Sequence, residues 1–411
     1  MQSIVGIIGE YNPFHNGHKY HLEESKKISN SDYSVAIISG NFVQRGNVSI
    51  IDKWSKAKMA LNNGIDLVIE LPTIYSISSA ENFAYGAIKT LNSLNIVDYI
   101  SFGSEIGDLD TLNLFADIFT KQPSEYVSLL NHELSKGLSF PKARENAVLM
   151  YLNDIRKYSN VLSSPNNILG IEYLKALKKT KSPIRPLTIK RKEVDYNDIT
   201  IKNNFASASS IRNILINNKL SKLPYLMPKE TYKVFYNCFQ NGHIVKDLAM
   251  YEKEIIFTLR KMALSEIANL PDVSEGLEHN IKNAANSCNT LAEFINIVKT
   301  KRYTSTRINR ILLYALLGIT KKDMKDSTKN IPYIRVLGFN KKGKELLSAI
   351  SNSTKGLDII TSVKKYIDNG CPGKYSKRML DIDINATNIY TLGYKKNSFA
   401  NLDYTHNIII L

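Results

Sequence analysis

The sequence predicts an α/β protein: a parallel, Rossmann-like sheet in the first half, followed by a second, mostly helical basic domain. Three observations predict it. Short β-branched apolar runs alternate with amphipathic stretches through residue 190, the spacing of a parallel sheet wrapped by helices. The first strand runs into a turn containing His-x-Gly-His and then into a helix. Charge is lopsided: of the formal +16 on 411 residues, residues 1–215 carry +3 and residues 216–411 carry +13.

The elements follow in order. Ile4 to Ile8 reads as a buried first strand. The turn carries His15 and His18, and Lys19 to Lys27 reads as a helix start. Val35 to Ser39 is a second strand that stops at Gly40, and the turn Asn41 to Gly46 follows it. Asp52 is placed to cap a helix over Lys53 to Leu61. Ile65 to Leu71 is a third strand, stopped by Pro72. Ser79 to Leu94 reads as helix, and Val97 to Phe102 as a fourth strand ending at Gly103-Ser104-Glu105. Ser164 to Leu174 is a polar turn entering a helix, with Asn166 or Asn167 as its cap. Ile184 to Lys190 is a fifth strand, followed by Arg191 and Lys192. Phe205 to Arg212 is a small-residue turn that opens another helix.

In open parallel sheets, ligands gather beyond the carboxyl ends of the strands. The turns Gly9 to His18, Gly40 to Gly46 and Gly103 to Glu105 therefore fall together. A strand, a tight turn and a helix N-terminus also suit a phosphate: the helix end offers free N–H groups and a positive dipole end. Gly17 permits close backbone approach, and His15 and His18 can donate hydrogen bonds to charge developing on a phosphoryl group. Ser209 and Ser210, with Arg212 one helical turn into the next helix, form a second anion seat.

Together these residues resemble the HxGH nucleotidyltransferase superfamily, whose members bind ATP and undergo attack at its α-phosphate. Ser207 to Arg212 is similar to its second signature turn, with Ala208 interrupting the usual serine pair. More closely, Gly6 to His21, Ser39 to Gly46, Ile65 to Pro72, Ser164 to Leu177 and Phe205 to Arg212 resemble the bacterial tRNA(Met) cytidine acetate ligase family. The resemblance implies a nucleotidyltransferase sheet over residues 1–215 and tRNA binding by residues 216–411. It implies activation of acetate by ATP to acetyl-adenylate, then transfer of acetyl to N4 of the wobble cytidine, position 34, of elongator tRNA(Met). It also implies an ATP site made of Ile7, Ile8, Gly9, Glu10, Tyr11, Asn12, Pro13, Phe14, His15, Asn16, Gly17, His18, Lys19 and Tyr20. Gly103, one or both of Asn166 and Asn167, and Arg191 would join it, with Lys192 sharing the contact made by Arg191. In this reading His15, His18 and Arg212 are catalytic, Ser209 and Ser210 hold the departing pyrophosphate, and Mg2+ bridges phosphate oxygens.

The second half reads as helices over Tyr251 to Leu270, Leu291 to Lys299 and Ser305 to Leu317, then a polar linker or loop over Lys321 to Lys329. A strand over Ile331 to Leu337 follows, and a helix opens near Lys341. A basic half attached to a nearly neutral nucleotide-binding half points to a polyanion partner. Arg302, Arg307, Arg310, Lys341, Lys342 and Lys344 are the expected phosphate contacts, and Tyr303 the expected stacking ring. Cys238, Cys288 and Cys371 match neither a disulfide framework nor a zinc spacing. With no apolar run of about 18 residues and no secretory leader pattern, the expected location is the cytoplasm. No protein partner is expected. Two rival readings share these features: a small-molecule adenylyltransferase, and a non-catalytic RNA-binding protein.

Overall fold

In the computed structural model, which describes residues 3–191, 206–216, 220–354, 356–370 and 373–411, one eight-stranded sheet organises the chain. In its interior, β1 (Ile4–Gly9) is flanked by β2 (Tyr33–Ser39) and by β6 (Tyr99–Ser104). A small antiparallel hairpin, β3 (Phe42–Val43) and β4 (Asn47–Val48), follows β2. Beyond β2 lies β5 (Leu67–Leu71), and beyond β6 lies β7 (Arg185–Lys190). All five of these sheet strands run parallel. Both faces are covered, so the strands alternate between two buried sides. Val35 and Ile37 join one core, Ala36 and Ile38 the other.

Helix α1 (Asn16–Ser29) links β1 to β2, and α2 (Lys53–Asn62) follows β2 and leads to β5. Asp52 caps α2 as expected: its Oδ1 accepts the Ser55 N–H at 2.8 Å. The chain moves from β1 outward to β2 and β5, then returns to the other side of β1 for β6. That reversal makes the carboxyl ends of β1 and β6 a topological switch point, where such sheets open a crevice.

The second half extends the same sheet. Strand β8 (Ile334–Phe339) pairs antiparallel with β5; β9 (Ile359–Ile360) and β10 (Ile409–Ile410) pair parallel with β8. The change in composition near residue 215 is therefore not a break in the sheet. The rest of that half is mostly helical. The long helix expected over 251–270 is two, Glu252–Lys261 and Leu264–Ala268, separated where Met262 turns extended. The expected linker or loop at 321–329 is instead a helix, Lys321–Ser327. Thr320 and Asp323 form a reciprocal capping box that starts it. Cys238 and Cys288 are free and buried; Cys371 lies outside the described residues.

Candidate active site

The site grows from the end of β1. Tyr11, Asn12, Pro13, Phe14 and His15 are buried in the loop, where a cis bond joins Asn12 and Pro13. Side chains of the loop brace it. Asn12 Nδ2 donates to the Val48 carbonyl at 3.2 Å, and its Oδ1 accepts the Ile50 N–H at 2.8 Å. Glu10 Oε1 accepts the Gln44 N–H at 2.9 Å. The turn after β1 is thereby tied to the hairpin after β2. Ile7 points into the core, so only its backbone faces the turn.

The two motif imidazoles are stacked, with centroids 3.7 Å apart. His18 Nδ1 accepts the His15 backbone N–H at 3.2 Å. An accepting Nδ1 puts the proton of the neutral ring on Nε2, which can then donate outward. Tyr11 and Phe14 pack around the His18 ring at 5.0 and 5.4 Å. Among the described residues, His15 Nδ1 is buried with no hydrogen-bond partner. Burial pushes the His15 imidazole down to about 3, and Arg191 and Arg212 push it the same way. His18 is held well below its ordinary value by burial first and then by His15 and Arg191. Both rings are neutral donors near pH 7, and both feel a guanidinium. Gly17 is required by this stack: a Cβ there would lie 2.9 Å from His15 Cε1.

Arg212 reaches the loop from the helix Ala208–Ile216. Its Nη1 donates to the Asn12 carbonyl at 2.9 Å and its Nη2 to Ser209 Oγ at 3.1 Å. Ser207 opens that helix, accepting the Ser210 N–H at 3.1 Å, and its hydroxyl meets Ser210 Oγ at 2.9 Å. The two turns expected to seat anions thus sit against each other. Asn16 Nδ2 donates to the Tyr225 carbonyl at 3.0 Å, and Lys19 is exposed beside Glu23.

At the end of β6 the two asparagines differ in their surroundings. Asn167 is buried, and its Oδ1 accepts the Glu105 and Ile106 N–H groups at 2.9 and 3.1 Å. Neither asparagine caps its helix; Asn167 instead braces the turn after β6. Asn166 is half-buried, bonded to Glu105 and facing Arg191, whose Nη1 lies 3.4 Å from Asn166 Oδ1. Gly103 lies under Arg191, whose Cγ would be 3.3 Å from an added Cβ. Lys192 and Phe205 lie outside the described residues.

One important residue gives no sequence signal. Lys56, buried on α2, donates to the carbonyls of Glu10, Ser39 and Gly40 at 3.1, 2.7 and 2.6 Å. It ties the carboxyl ends of β1 and β2 together. Burial pushes its ammonium down to about 7, against the pull of Glu10 and Glu70.

The basic residues of the second half do not gather in one place: the Arg310 backbone packs against Gly46 in the turn after β2, whereas the three lysines lie at the other end of the sheet. Tyr303 is buried rather than open to a base, its ring under Arg307 at 4.8 Å. Arg307 donates to the Asp272 carbonyl, Arg310 pairs with the Asp272 carboxylate at 2.7 Å, and Arg302 pairs with Glu275. Lys341, Lys342 and Lys344 follow β8, whose end pairs with the start of β5. They stand at the opposite end of the sheet from His15 and His18, with Lys342 bonded to the Asp32 carbonyl at 3.0 Å.

A parallel sheet with two imidazoles, two guanidiniums and two helix starts at its switch point defines a nucleotide-binding enzyme of the HxGH class. Residues 1–404 match the family described as HIGH Nucleotidyl Transferase, and the chain belongs to that family. Within it, the chain belongs with the tRNA(Met) cytidine acetate ligases. It is 46% identical to the protein of that name from Thermoanaerobacter sp. (strain X514), over 99% of this chain and 100% of that one. It is 43% identical to that of Clostridium tetani, over 96% of each. The solved structure of Thermotoga maritima TmcAL bound with alpha-thio ATP superposes with a TM-score of 0.92 at 32% identity, covering 100% of this chain and 99% of that one. Its apo form gives 0.93 at 33%, with the same coverage.

Proposed function

We propose that this chain is an ATP-dependent ligase that joins acetate to N4 of cytidine 34 in elongator tRNA(Met) by way of acetyl-adenylate. The observation that carries this reading is the neutral, stacked His15–His18 pair between Arg191 and Arg212 at the switch point.

The triphosphate lies along the turn from Ile7 to Tyr20. Gly103, Asn166 and Arg191 hold the nucleotide from the β6 side, and Asn167 shapes that turn. An acetate oxygen attacks the α-phosphorus and pyrophosphate leaves from the opposite side. Such a transfer needs alignment and cancellation of charge more than covalent help. His18 Nε2–H donates to the phosphoryl oxygens as charge builds on them. Arg212, Ser209 and Ser210 receive the departing pyrophosphate. The cytidine amine then attacks the acetyl carbonyl, AMP leaves, and the amine loses a proton. That amine is a weak nucleophile because its lone pair is delocalised into the ring, so a mixed anhydride suits it as donor. Among the described residues no group of three or more His, Cys, Asp or Glu side chains is arranged to hold a metal. Mg2+, when bound, would supply cancellation of phosphate charge.

Residues 216–411 contribute the tRNA side of the reaction, with Arg302 the most exposed of the proposed phosphate contacts among the arginines. No helix among the described residues is long and apolar enough to cross a membrane, and the reading places the enzyme with its tRNA in the cytoplasm. The test is incubation with ATP, labelled acetate and purified tRNAs, followed by nucleoside mass spectrometry. N4-acetylcytidine confined to elongator tRNA(Met) is the expected result. Consumption of ATP with a phosphate ester but not with acetate would favour the small-molecule rival.

A further inference from the structure

A band of exposed aromatic rings borders the candidate site. Tyr225, Tyr236 and Phe239 are 58%, 43% and 41% exposed. Tyr225 belongs to the turn Leu223–Leu226, and the other two to the helix Lys229–Gln240. Tyr232 stacks on Tyr236 with centroids 5.9 Å apart. Lys222, Lys229 and Lys233 interleave with these rings, and Glu230 is the only carboxylate between residues 220 and 240.

The adjoining face of that helix is fixed. Thr231, Phe235 and Cys238 are buried. Thr231 Oγ1 accepts from Asn63 Nδ2 at 2.9 Å, and Cys238 Sγ meets Ser55 Oγ at 3.2 Å, both on or next to α2. The rings are therefore presented on a rigid support. The segment touches the site through its backbone: the Tyr225 carbonyl is the acceptor for Asn16 in the motif turn.

We infer that this face is a stacking platform for the unpaired bases of an RNA loop, and that it presents the acceptor base to the adenylate; this rests on the function proposed above. Planar rings interleaved with ammonium groups bind single strands by base stacking and phosphate attraction. Tyr232 to Phe239 spans about 10 Å of helix, the length of about three bases at ~3.4 Å each. A duplex hides the base faces that such rings need. An acceptor cytidine must also be unpaired, because a Watson–Crick partner would occupy its N4 amine. The lysines and the near absence of carboxylates favour RNA over a protein partner.

The test measures binding of an anticodon stem-loop RNA and of a duplex RNA of equal length to the full chain. Tyr236→Ala combined with Phe239→Ala is expected to weaken stem-loop binding about tenfold or more, with duplex binding unchanged. Tyr236→Phe keeps the stacking face and is expected to stay within about twofold of the unaltered chain. Lys229→Ala with Lys233→Ala is expected to flatten the salt slope of stem-loop binding by about 1.4. Acetate-dependent ATP–pyrophosphate exchange without RNA should be unaltered in the aromatic double variant, which also reports that it is folded. Unchanged stem-loop affinity in that variant would overturn the inference. So would a concentration-dependent dimer that Tyr236→Asp dissolves while RNA binding persists, since the face would then belong to a second copy. If the unaltered chain lacks acetate-dependent exchange yet binds the stem-loop through these rings, the proposed reaction fails and the platform stands.

Discussion

His18 shows how one hydrogen bond sets a chemical role. Because its Nδ1 is engaged by the His15 N–H, its proton is directed to Nε2. Replacing His18 with Ala removes that donor, and acetate-dependent pyrophosphate exchange is expected to fall by about 10²-fold or more. Near-normal exchange would remove His18 from the chemistry. Acid gives a second prediction. Burial holds His15 at about 3 and His21 at about 4, whereas an unfolded chain's imidazole titrates near 6.5. Below about pH 6.5 the unfolded chain binds protons that the native chain refuses, so stability falls as pH drops toward 3. Between pH 7.5 and 5.5 each such imidazole is expected to cost about 1 kcal/mol, read from urea unfolding, and His21→Asn should flatten part of the loss. That His15, His18 and Arg212 come together was legible, because the strand–turn–helix pattern places both motif turns at one end of the sheet. The roles of Asn166 and Asn167 were not, because adjacent residues of one helix differ only in what packs against them. Tyr303 misled for the same reason: nothing local distinguishes a ring held under Arg307 from one open to solvent.

At the scale of elements, the β1 turn works because its neighbours hold it open. Gly17→Ala would place a Cβ 2.9 Å from His15 Cε1 and 3.0 Å from His15 Nδ1. The stacked pair must then part, while the start of α1 tolerates alanine well. Exchange activity is expected to fall at least about tenfold, with the thermal midpoint little changed. Lys56→Met acts the other way. It strips the donor from the carbonyls of Glu10, Ser39 and Gly40, and an orphaned buried acceptor costs about 1–3 kcal/mol. The expected loss is about 3 kcal/mol or more of stability, measured by denaturant unfolding, with activity lost alongside. The strands of the first half were readable as β-branched runs because both of their faces are buried. The helix at 321–327 was not, because its polar composition hides a capping box whose stabilising effect depends on geometry.

Across the whole molecule, the two halves of the sequence share one charge cluster as well as one sheet. Lys53 Nζ pairs with Glu70 and Asp403 at 3.0 and 2.7 Å, and Arg335 pairs with the same two carboxylates. All four side chains are nearly or fully buried. Lys53 and Glu70 come from the first half, Arg335 and Asp403 from the second. Composition divides the chain near residue 215, but neither the sheet nor this cluster respects that division. No sequence pattern announced it, because the partners lie up to 350 residues apart. A fragment ending at residue 215 would expose the apolar edge of β5, which β8 covers. It would also leave the Lys53–Glu70 pair open on the side that Arg335 and Asp403 occupy, and removing one partner of a buried pair costs about 3–5 kcal/mol. Against a total stability of about 5–15 kcal/mol, that fragment is expected to lack a cooperative thermal transition. Co-expression with residues 216–411 should restore one transition and ATP–pyrophosphate exchange together, because the missing strand and both missing charges return in the same step. A fragment 1–215 that melted cooperatively by itself would show that the first half needs neither.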